Sequence, residues 1–267
     1  MAYLMEHPEE FVRLKQKTRA DQVTRQAKWA GIKPGMHVLD AGCGSGTTTA
    51  ILKEVVGDTG RVTGLDFSAS RLSEATASYD GPGVSFIEHD LMSGPFNSSD
   101  LFDAVWIRFL LEYFLDDPLT VVRNAISRLK PGGLLILADL DNNSLAHYGI
   151  PERLEKTIQD IIRNLQTDHN FDPYAGRKLF GHMTALGFQD IAVDVEAHHL
   201  IYGELNPVDA ANWQSKVEVA VKDSGCQFEE YDGGYREASE EFKAYFNDHR
   251  RFIYTPLIIV RGEKPLK

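Results

Sequence analysis

Two hydrophobic rhythms alternate along the first half of the chain. Short apolar runs bounded by turn residues occur at His37–Ala41, Arg61–Asp66, Val84–Glu88, Phe102–Ile107 and Leu134–Asp139. Their length and near-continuous apolarity read as strands buried on both faces. Between them, Thr47–Val56, Ser68–Tyr79 and Pro118–Leu129 place apolar residues at helical spacing. The last has Asp117 as N-cap, Pro118 at the first helical position, and Leu119, Val122, Ile126 and Leu129 on one face. Strand then helix, repeated, predicts a parallel sheet wound with helices on both sides. A separate helical pattern, Pro8 to Ala30, precedes this unit with Phe11, Leu14, Val23, Ala27 and Ala30 apolar, and stops at Gly31 and Pro34.

After Asp139 the rhythm changes. A helix is predicted at Pro151–Leu165 with no strand before the next helix, Tyr174–Leu186, which Gly187 ends. Strands return at Ile191–His198 and Phe252–Arg261, and the stretch between them is too long for a hairpin turn. It carries helical patterns around Val208–Lys222 and Tyr235–Asp248. The expected organisation is an N-terminal helical lid (1–33), a sheet core (34–140), a helical cap insertion (141–173) and a C-terminal part of the core (174–267) with a helical insertion at about 203–251.

Composition narrows the function classes. The 267 residues hold 28 Lys plus Arg against 39 Asp plus Glu, a formal charge of −11, which disfavours a phosphate-backbone surface and hence a nucleic-acid partner. The longest apolar stretches, around Leu134–Ala138 and Leu257–Val260, are too short to cross a bilayer. The first ten residues carry Glu6, Glu9 and Glu10 where a secretory signal would be basic and then apolar. A cytoplasmic location and no membrane partner are therefore expected. Cys43 and Cys226 supply neither a disulfide framework nor metal-ligand spacing, so no metal site is expected.

The candidate chemistry centres on Val38-Leu39-Asp40-Ala41-Gly42-Cys43-Gly44-Ser45-Gly46, a strand running into glycines and then a helix. Such a loop lets a ligand lie against backbone at the carboxyl edge of an open α/β sheet. Asp66 closes the second strand about twenty residues on, where a carboxylate accepts from ribose hydroxyls. Asp90 closes the third, within reach of an adenine amine. Either carboxylate alone is equally a helix cap or a solvated loop charge; with the loop they point to an adenosine ligand. A dinucleotide needs a third glycine three positions after the second, to turn the helix N-terminus onto a pyrophosphate, and that position is Thr47. Asp40 would also repel a pyrophosphate, whereas it suits an ammonium. S-adenosylmethionine, with an ammonium, a sulfonium and no phosphate, fits better than NAD, and an NAD-dependent oxidoreductase is the weaker alternative.

At this point the chain resembles the class I S-adenosylmethionine-dependent methyltransferases. VLDAGCGSG at 38–46, VTGLDFSASRLSEA at 62–75, FIEHDL at 86–91, FDAVWIRFLLEYF at 102–114 and LKPGGLLILADL at 129–140 occur in the family's order. YLMEHPEEFVRLKQKT at 3–18 and AGIKPGM at 30–36 resemble the lead-in of a bacterial small-molecule subgroup, with a looser similarity to ubiquinone and menaquinone C-methyltransferases. The resemblance implies an α/β, doubly wound, mostly parallel seven-stranded Rossmann-like sheet with an antiparallel last strand and helical cap insertions. It also implies S-adenosylmethionine as cofactor, S-adenosylhomocysteine as product, and a small-molecule acceptor. By the same resemblance Ala41, Gly42, Gly44 and Gly46 would lie against the methionine moiety and Asp40 would support its amino group. Asp66 would hold the ribose, Phe67 would pack on the adenine, and Asp90 and the Leu91 N–H would bind its edge. Tyr3, Arg13 and Arg108 are candidates at the methionine end, Arg13 being equally a solvated helix charge.

Methyl transfer from a sulfonium is an in-line displacement in which the cofactor carries its own leaving group, so alignment and exclusion of water come first. If a base is needed, the loops above the sheet offer Glu112, Tyr113, Asp139, Asp141, His147 and Tyr148. His147 with Tyr148 is the first pair to test, since it falls in the expected cap; a histidine bonded within that cap is the structural alternative. Asp139, Asp141 and Asn142 have oxygens suited to Mg²⁺, but Arg108 stands where metal-dependent O-methyltransferases carry an acidic ligand. His198, His199 and Tyr202, and the aromatics Trp213, Tyr231, Tyr235, Phe242, Tyr245 and Phe246, read as core, an apolar pocket or a dimer contact. A protein that binds S-adenosylmethionine without transferring methyl is the other class kept open, and the chain is expected to be a monomer or a homodimer.

Overall fold

The computed structural model of the chain describes residues 19–96, 98–206, 210, 213, 217–218, 220–221 and 224–266. Helix α1 (Ala20–Ala30) leads into β1 (His37–Ala41), α2 (Thr47–Val56), β2 (Arg61–Asp66), α3 (Ala69–Tyr79), β3 (Val84–Glu88) and β4 (Phe102–Arg108). A 3₁₀ turn (Leu111–Tyr113), α4 (Pro118–Ala125) and a second 3₁₀ turn (Ile126–Arg128) precede β5 (Leu129–Leu140). Then come β6 (His147–Tyr148), α5 (Glu152–His169), α6 (Ala175–Ala185), β7 (Gln189–Tyr202), α7 (Gly234–Asn247) and β8 (Phe252–Glu263).

The sheet runs β3-β2-β1-β4-β5-β8-β7, with β1 to β5 mutually parallel and β8 antiparallel to both β5 and β7. Seven strands and an antiparallel last one agree with the expectation, and β6 adds an eighth, two residues long. It pairs with Phe252 and Ile253 of β8, on the edge that β5 leaves free after Leu140↔Leu257. His147 and Tyr148, expected inside a helical cap, thus extend the sheet. The carbonyl of Ala146 accepts from Tyr254 N at 3.2 Å and fixes this return.

Period-two alternation puts neighbouring strand residues on opposite faces. Leu39, Leu65, Val105 and Leu135 pack with Val121 and Val122 of α4 and Leu179 and Met183 of α6. Val38, Val62, Trp106, Ile136 and Ile259 face Val23 and Ala27 of α1 and Leu52 and Val56 of α2. These side chains are almost wholly buried, each contributing about 1.5–3 kcal/mol of transfer free energy.

Other boundaries differ by a few residues. β5 begins at Leu129, five residues earlier than Leu134, because Gly132 N donates to Lys264 O (2.8 Å) and Lys264 N to Gly133 O (2.9 Å), which holds the turn-like Pro-Gly-Gly against the chain's last residues. α5 continues to His169, where Asn170 closes it in the left-handed region (φ +57). Ala210, Trp213 and Val217 are helical, within the expected helix at 208–222. The helical pattern from Pro8 is described from Ala20 onward.

Candidate functional site

The sheet's direction of growth reverses between β1 and β4, and the loops at their carboxyl ends open there into a crevice, the position where open α/β sheets bind ligands. After β1 the chain turns through Gly42 (φ +78), Gly44 (φ +51) and Gly46 (φ +76). A Cβ on Gly42 would stand 2.9 Å from Leu110 Cδ1, and one on Gly46 would stand 2.9 Å from both Ala75 Cβ and Phe86 Cζ. Left-handed backbone and close packing both demand glycine at these two positions. The loop is also tied down: Gly42 N and Cys43 N both donate to Leu65 O, at 2.7 and 3.0 Å.

Asp66, at the tip of β2, is 5% exposed, and both its oxygens take part in the loop's geometry. Oδ2 accepts from Gly44 N at 2.9 Å and Oδ1 from Ser68 N at 3.0 Å, with the Arg71 guanidinium 3.5 Å away. Phe67 beside it is partly exposed, with the same guanidinium 5.2 Å from its ring centre. Asp90 is exposed and accepts from Met92 N at 2.8 Å, while the carbonyl of buried Leu91 accepts from Asn124 at 2.6 Å.

Gly42, Asp66, Phe67, Asp90 and Leu91 line one cleft enclosing about 450 Å³. His89, Phe109, Leu110, Phe114 and Val121 share it, and none of these was singled out from the sequence. Position was the available signal for His89 and Phe109, since each follows directly on the carboxyl end of a strand. Phe109 also adopts φ +55, rare for an aromatic residue and a mark of imposed backbone geometry.

Asp40 and Arg108 sit deeper, between the strands. Asp40 is 2% exposed, and burial pushes its carboxyl up to about 7, opposed by the Thr49 hydroxyl at 2.6 Å and the charge of Arg108. Burial also brings the Arg108 guanidinium down to about 10, against the pull of Asp40 and Asp139. Its Nε has no hydrogen-bond partner among the described residues, and its guanidinium lies 3.9 Å from the Phe109 ring centre. Ala41 is buried in β1 between Leu65 and Ile107. Tyr3 and Arg13 lie outside the described residues.

A second and larger cavity, about 1100 Å³, opens beyond the 3₁₀ turn that follows β4. Its walls are apolar, with Leu154, Ile158 and Ile161 of α5 facing Trp213, Val217 and Phe242. Glu112, Tyr113, Asn143, Ser144, Thr157, Tyr235 and Ser239 add polar groups to the lining. Glu112 Oε2 accepts from Asn143 Nδ2 at 2.8 Å, and Glu112 N donates to Asp139 Oδ2 at 3.1 Å. Burial, with the Glu112 carboxylate beside it, drives the Asp139 carboxyl well above its usual range. Asp141 is held by a two-pronged pair to Arg177 at 2.7 and 2.9 Å, and Arg177 also donates to Asn142.

His147 and Tyr148 line neither cavity. The His147 ring contacts Ser144 O at 2.9 Å and Tyr245 Oη at 3.3 Å, and meets Trp213 edge-on at 5.7 Å. Tyr148 is 71% exposed. His199 contacts Thr255 Oγ1 at 3.4 Å and stacks against His198 and Trp213.

Residues 38–133 match the methyltransferase domain family. Demethylmenaquinone methyltransferase of Staphylococcus aureus (strain MRSA252) is 37% identical over 124 residues, 45% of this chain and 50% of that protein. The chloroplastic 2-phytyl-1,4-beta-naphthoquinone methyltransferase of Arabidopsis thaliana is 34% identical over 176 residues, 62% of this chain and 66% of that protein. The chain thus spans between half and two thirds of the length of these curated relatives. Phosphoethanolamine N-methyltransferase 2 of Haemonchus contortus, solved with S-adenosyl-L-methionine, superposes with a TM-score of 0.55 over 92% of this chain and 52% of that one. At 17% identity that likeness is one of fold. Glycine loop, strand-end carboxylates, sheet order and sequence relatives agree in marking residues 38–133 as a methyltransferase domain, and the chain resembles the class I S-adenosylmethionine-dependent methyltransferases.

Proposed function

We propose that the protein transfers the methyl group of S-adenosylmethionine to a small-molecule acceptor and releases S-adenosylhomocysteine. The observation that carries this reading is that Gly42, Asp66, Phe67, Asp90 and Leu91 line a single cleft, separated by one 3₁₀ turn from an apolar cavity. In it the ribose hydroxyls donate to Asp66. Two backbone N–H groups already hold that carboxylate, but a carboxylate has about four lone-pair sites, so capacity remains. Phe67 packs on the adenine, and Asp90 and the Leu91 N–H meet its edge. Ala41, Gly42, Gly44 and Gly46 lie along the methionine moiety, Asp40 supports its ammonium, and Arg108 pairs with its carboxylate. Buried Arg108 Nε, without a partner among the described residues, suits that task.

The cofactor supplies an activated methyl group. The acceptor's lone pair would form the new bond to the methyl carbon as the sulfur–methyl bond breaks, the electrons of that bond would leave with sulfur as a neutral thioether, and the acceptor's proton would pass to a base or to solvent. The protein's part is to align the two molecules and exclude water. In this reading 34–140 holds the cofactor, 1–33 closes over it with Tyr3 and Arg13 near its carboxylate, and 141–173 with 203–251 encloses the acceptor. With His147 engaged by Ser144 and Tyr245, Glu112 is the better-placed carboxylate beside the acceptor. The acidic composition supports an enzyme without a nucleic-acid partner, which this reading places in the cytoplasm as a monomer or homodimer, and no helix among the described residues is long and apolar enough to cross a membrane.

Calorimetry with S-adenosylmethionine and S-adenosylhomocysteine tests the reading. Both are expected to bind at tens of micromolar or tighter, and Asp66→Ala is expected to weaken them roughly tenfold or more, the cost of losing a charged hydrogen-bond acceptor. A folded protein that binds neither would overturn the proposal.

A further inference from the structure

Past Leu140↔Leu257, where β5 ends, β6, β8 and β7 continue as a three-stranded ribbon beyond the carboxyl edge of the sheet. Alternation gives this ribbon two unlike faces. The row His147, Ile253 and Ile201 points into the cluster that holds Trp213 and Phe242. The next row, Tyr148, Phe252 and Tyr202, points the other way, and Tyr254 stands opposite Leu200 beside it. Further along the same face Ala197 opposes Pro256, Val195 opposes Ile258 and Val193 opposes Val260. None of these side chains is charged. The Tyr202 and Phe252 rings stack at 6.5 Å, and Phe252 meets Tyr254 at 6.1 Å.

This face is largely open to water. Tyr148, Tyr202, Val195 and Leu200 are 51–71% exposed, and Val193, Tyr254 and Phe252 41–46%. At those fractions the seven leave roughly 700 Å² of mostly apolar surface in water, against about 300–600 Å² for the largest such patch on a typical monomer. The neighbouring additions join on the opposite face: α1 packs with Leu257 and Ile259, and Trp213 and Val217 pack with Ile201 and Ile253.

We propose that the open face of the ribbon is the interface of a two-fold homodimer, each copy laying its face on the other's. A stable interface takes about 800 Å² from each partner, with an apolar centre rich in aromatic residues. The ribbon supplies most of that area, and three tyrosine hydroxyls supply hydrogen bonds. A chain of net charge −11 repels its own copy overall, and a charge-free face lets two copies meet with no carboxylates opposed. The same net charge sets the chain against an anionic bilayer. The contact is face to face, because register shifts at Gln189/Ala192 and Ala197/His199 interrupt β7, irregularities of the kind that keep an edge from adding a strand.

Sedimentation velocity of the full chain over about 1–100 µM tests the inference, with a dimer of micromolar or tighter Kd expected. Tyr202→Glu and Leu200→Glu, made separately, should each weaken association roughly a hundredfold or more with far-UV circular dichroism unchanged, since each buries an unpaired carboxylate from both copies. In the unaltered chain, hydroxyl-radical oxidation of Tyr148, Tyr202 and Tyr254 should fall roughly threefold or more from monomer to dimer, a readout that needs no variant. A chain that stays monomeric to the top of that range would overturn the inference. So would a dimer that leaves these tyrosines as reactive as in the monomer, a dimer indifferent to both substitutions, or a monomer that binds phosphatidylcholine vesicles through Tyr202.

Discussion

Asp40 sits 2% exposed on a central strand, with the Thr49 hydroxyl donating to it and the charge of Arg108 acting on it, and burial pushes its carboxyl up to about 7. In the unfolded chain it titrates near the ordinary aspartate value, about 3.9. Between those two values the native state keeps a proton that the unfolded state has lost. This contribution to stability is therefore fully present below about pH 4 and is lost as pH rises through about 7. Thermal unfolding should show the wild type losing stability between about pH 4 and 7 relative to Asp40→Asn; parallel curves would refute the assignment. An ammonium brought next to Asp40 would favour the charged form, so cofactor binding near pH 7 should release part of a proton. Calorimetry in two buffers of different ionisation enthalpy reads that release, and Asp40→Asn should abolish it. At this scale the sequence was informative wherever a residue's role depends on its neighbours in the chain: the glycines, Asp66 and Asp90 follow from local spacing. The Glu112–Asn143–Asp139 cluster was not legible, since its members are 27 and 31 positions from Glu112 and meet only through the pairing of β4 with β5.

The junction of β1, α2 and α3 depends on Gly46, whose left-handed backbone begins α2 while Ala75 and Phe86 close over it. Gly46→Ala combines a left-handed cost of about 1–2 kcal/mol with overpacking of about 1–3 kcal/mol. A loss of about 2–5 kcal/mol in urea unfolding is expected, and Gly46→Ala with Phe86→Leu should recover part of it by opening space. No recovery would mean that backbone strain alone sets the cost. Element types were readable because strands buried on both faces and amphipathic helices leave different periods. The two main departures, the early start of β5 and the strand β6, have one cause: partners far away in sequence. Lys264 supplies hydrogen bonds to the Pro-Gly-Gly segment, and β8 supplies an edge to His147 and Tyr148, which no window around either segment contains.

Across the whole molecule, the sheet carries a further apolar cluster besides the two packed on its faces. The aromatic cluster of Leu154, Ile201, Trp213, Phe242, Phe246 and Ile253 forms at the far end of the strands whose other ends enter the main core. Ile259, fully buried on β8, is expected to couple them. Ile259→Ala should cost about 2–5 kcal/mol, and urea transitions followed separately at Trp106 and at Trp213 in single-tryptophan variants should shift together. A shift at Trp106 alone would show that the cluster around Trp213 unfolds independently. The sequence identified the late aromatics without assigning them, because core and cavity wall look alike until the helices carrying them are placed.

Strand β8 pairs with β5, β6 and β7 and occupies residues 252–263. In chain order its residues follow those of every other strand among the described residues. The five parallel strands from β1 to β5, with the cofactor cleft at their carboxyl ends, can assemble while β7 and the aromatic insertion still lack the strand they fold against. The half proposed to enclose the acceptor is therefore set by contacts of long sequence separation, the kind that form slowly, and the nascent chain can form the proposed cofactor cleft before the proposed acceptor cavity.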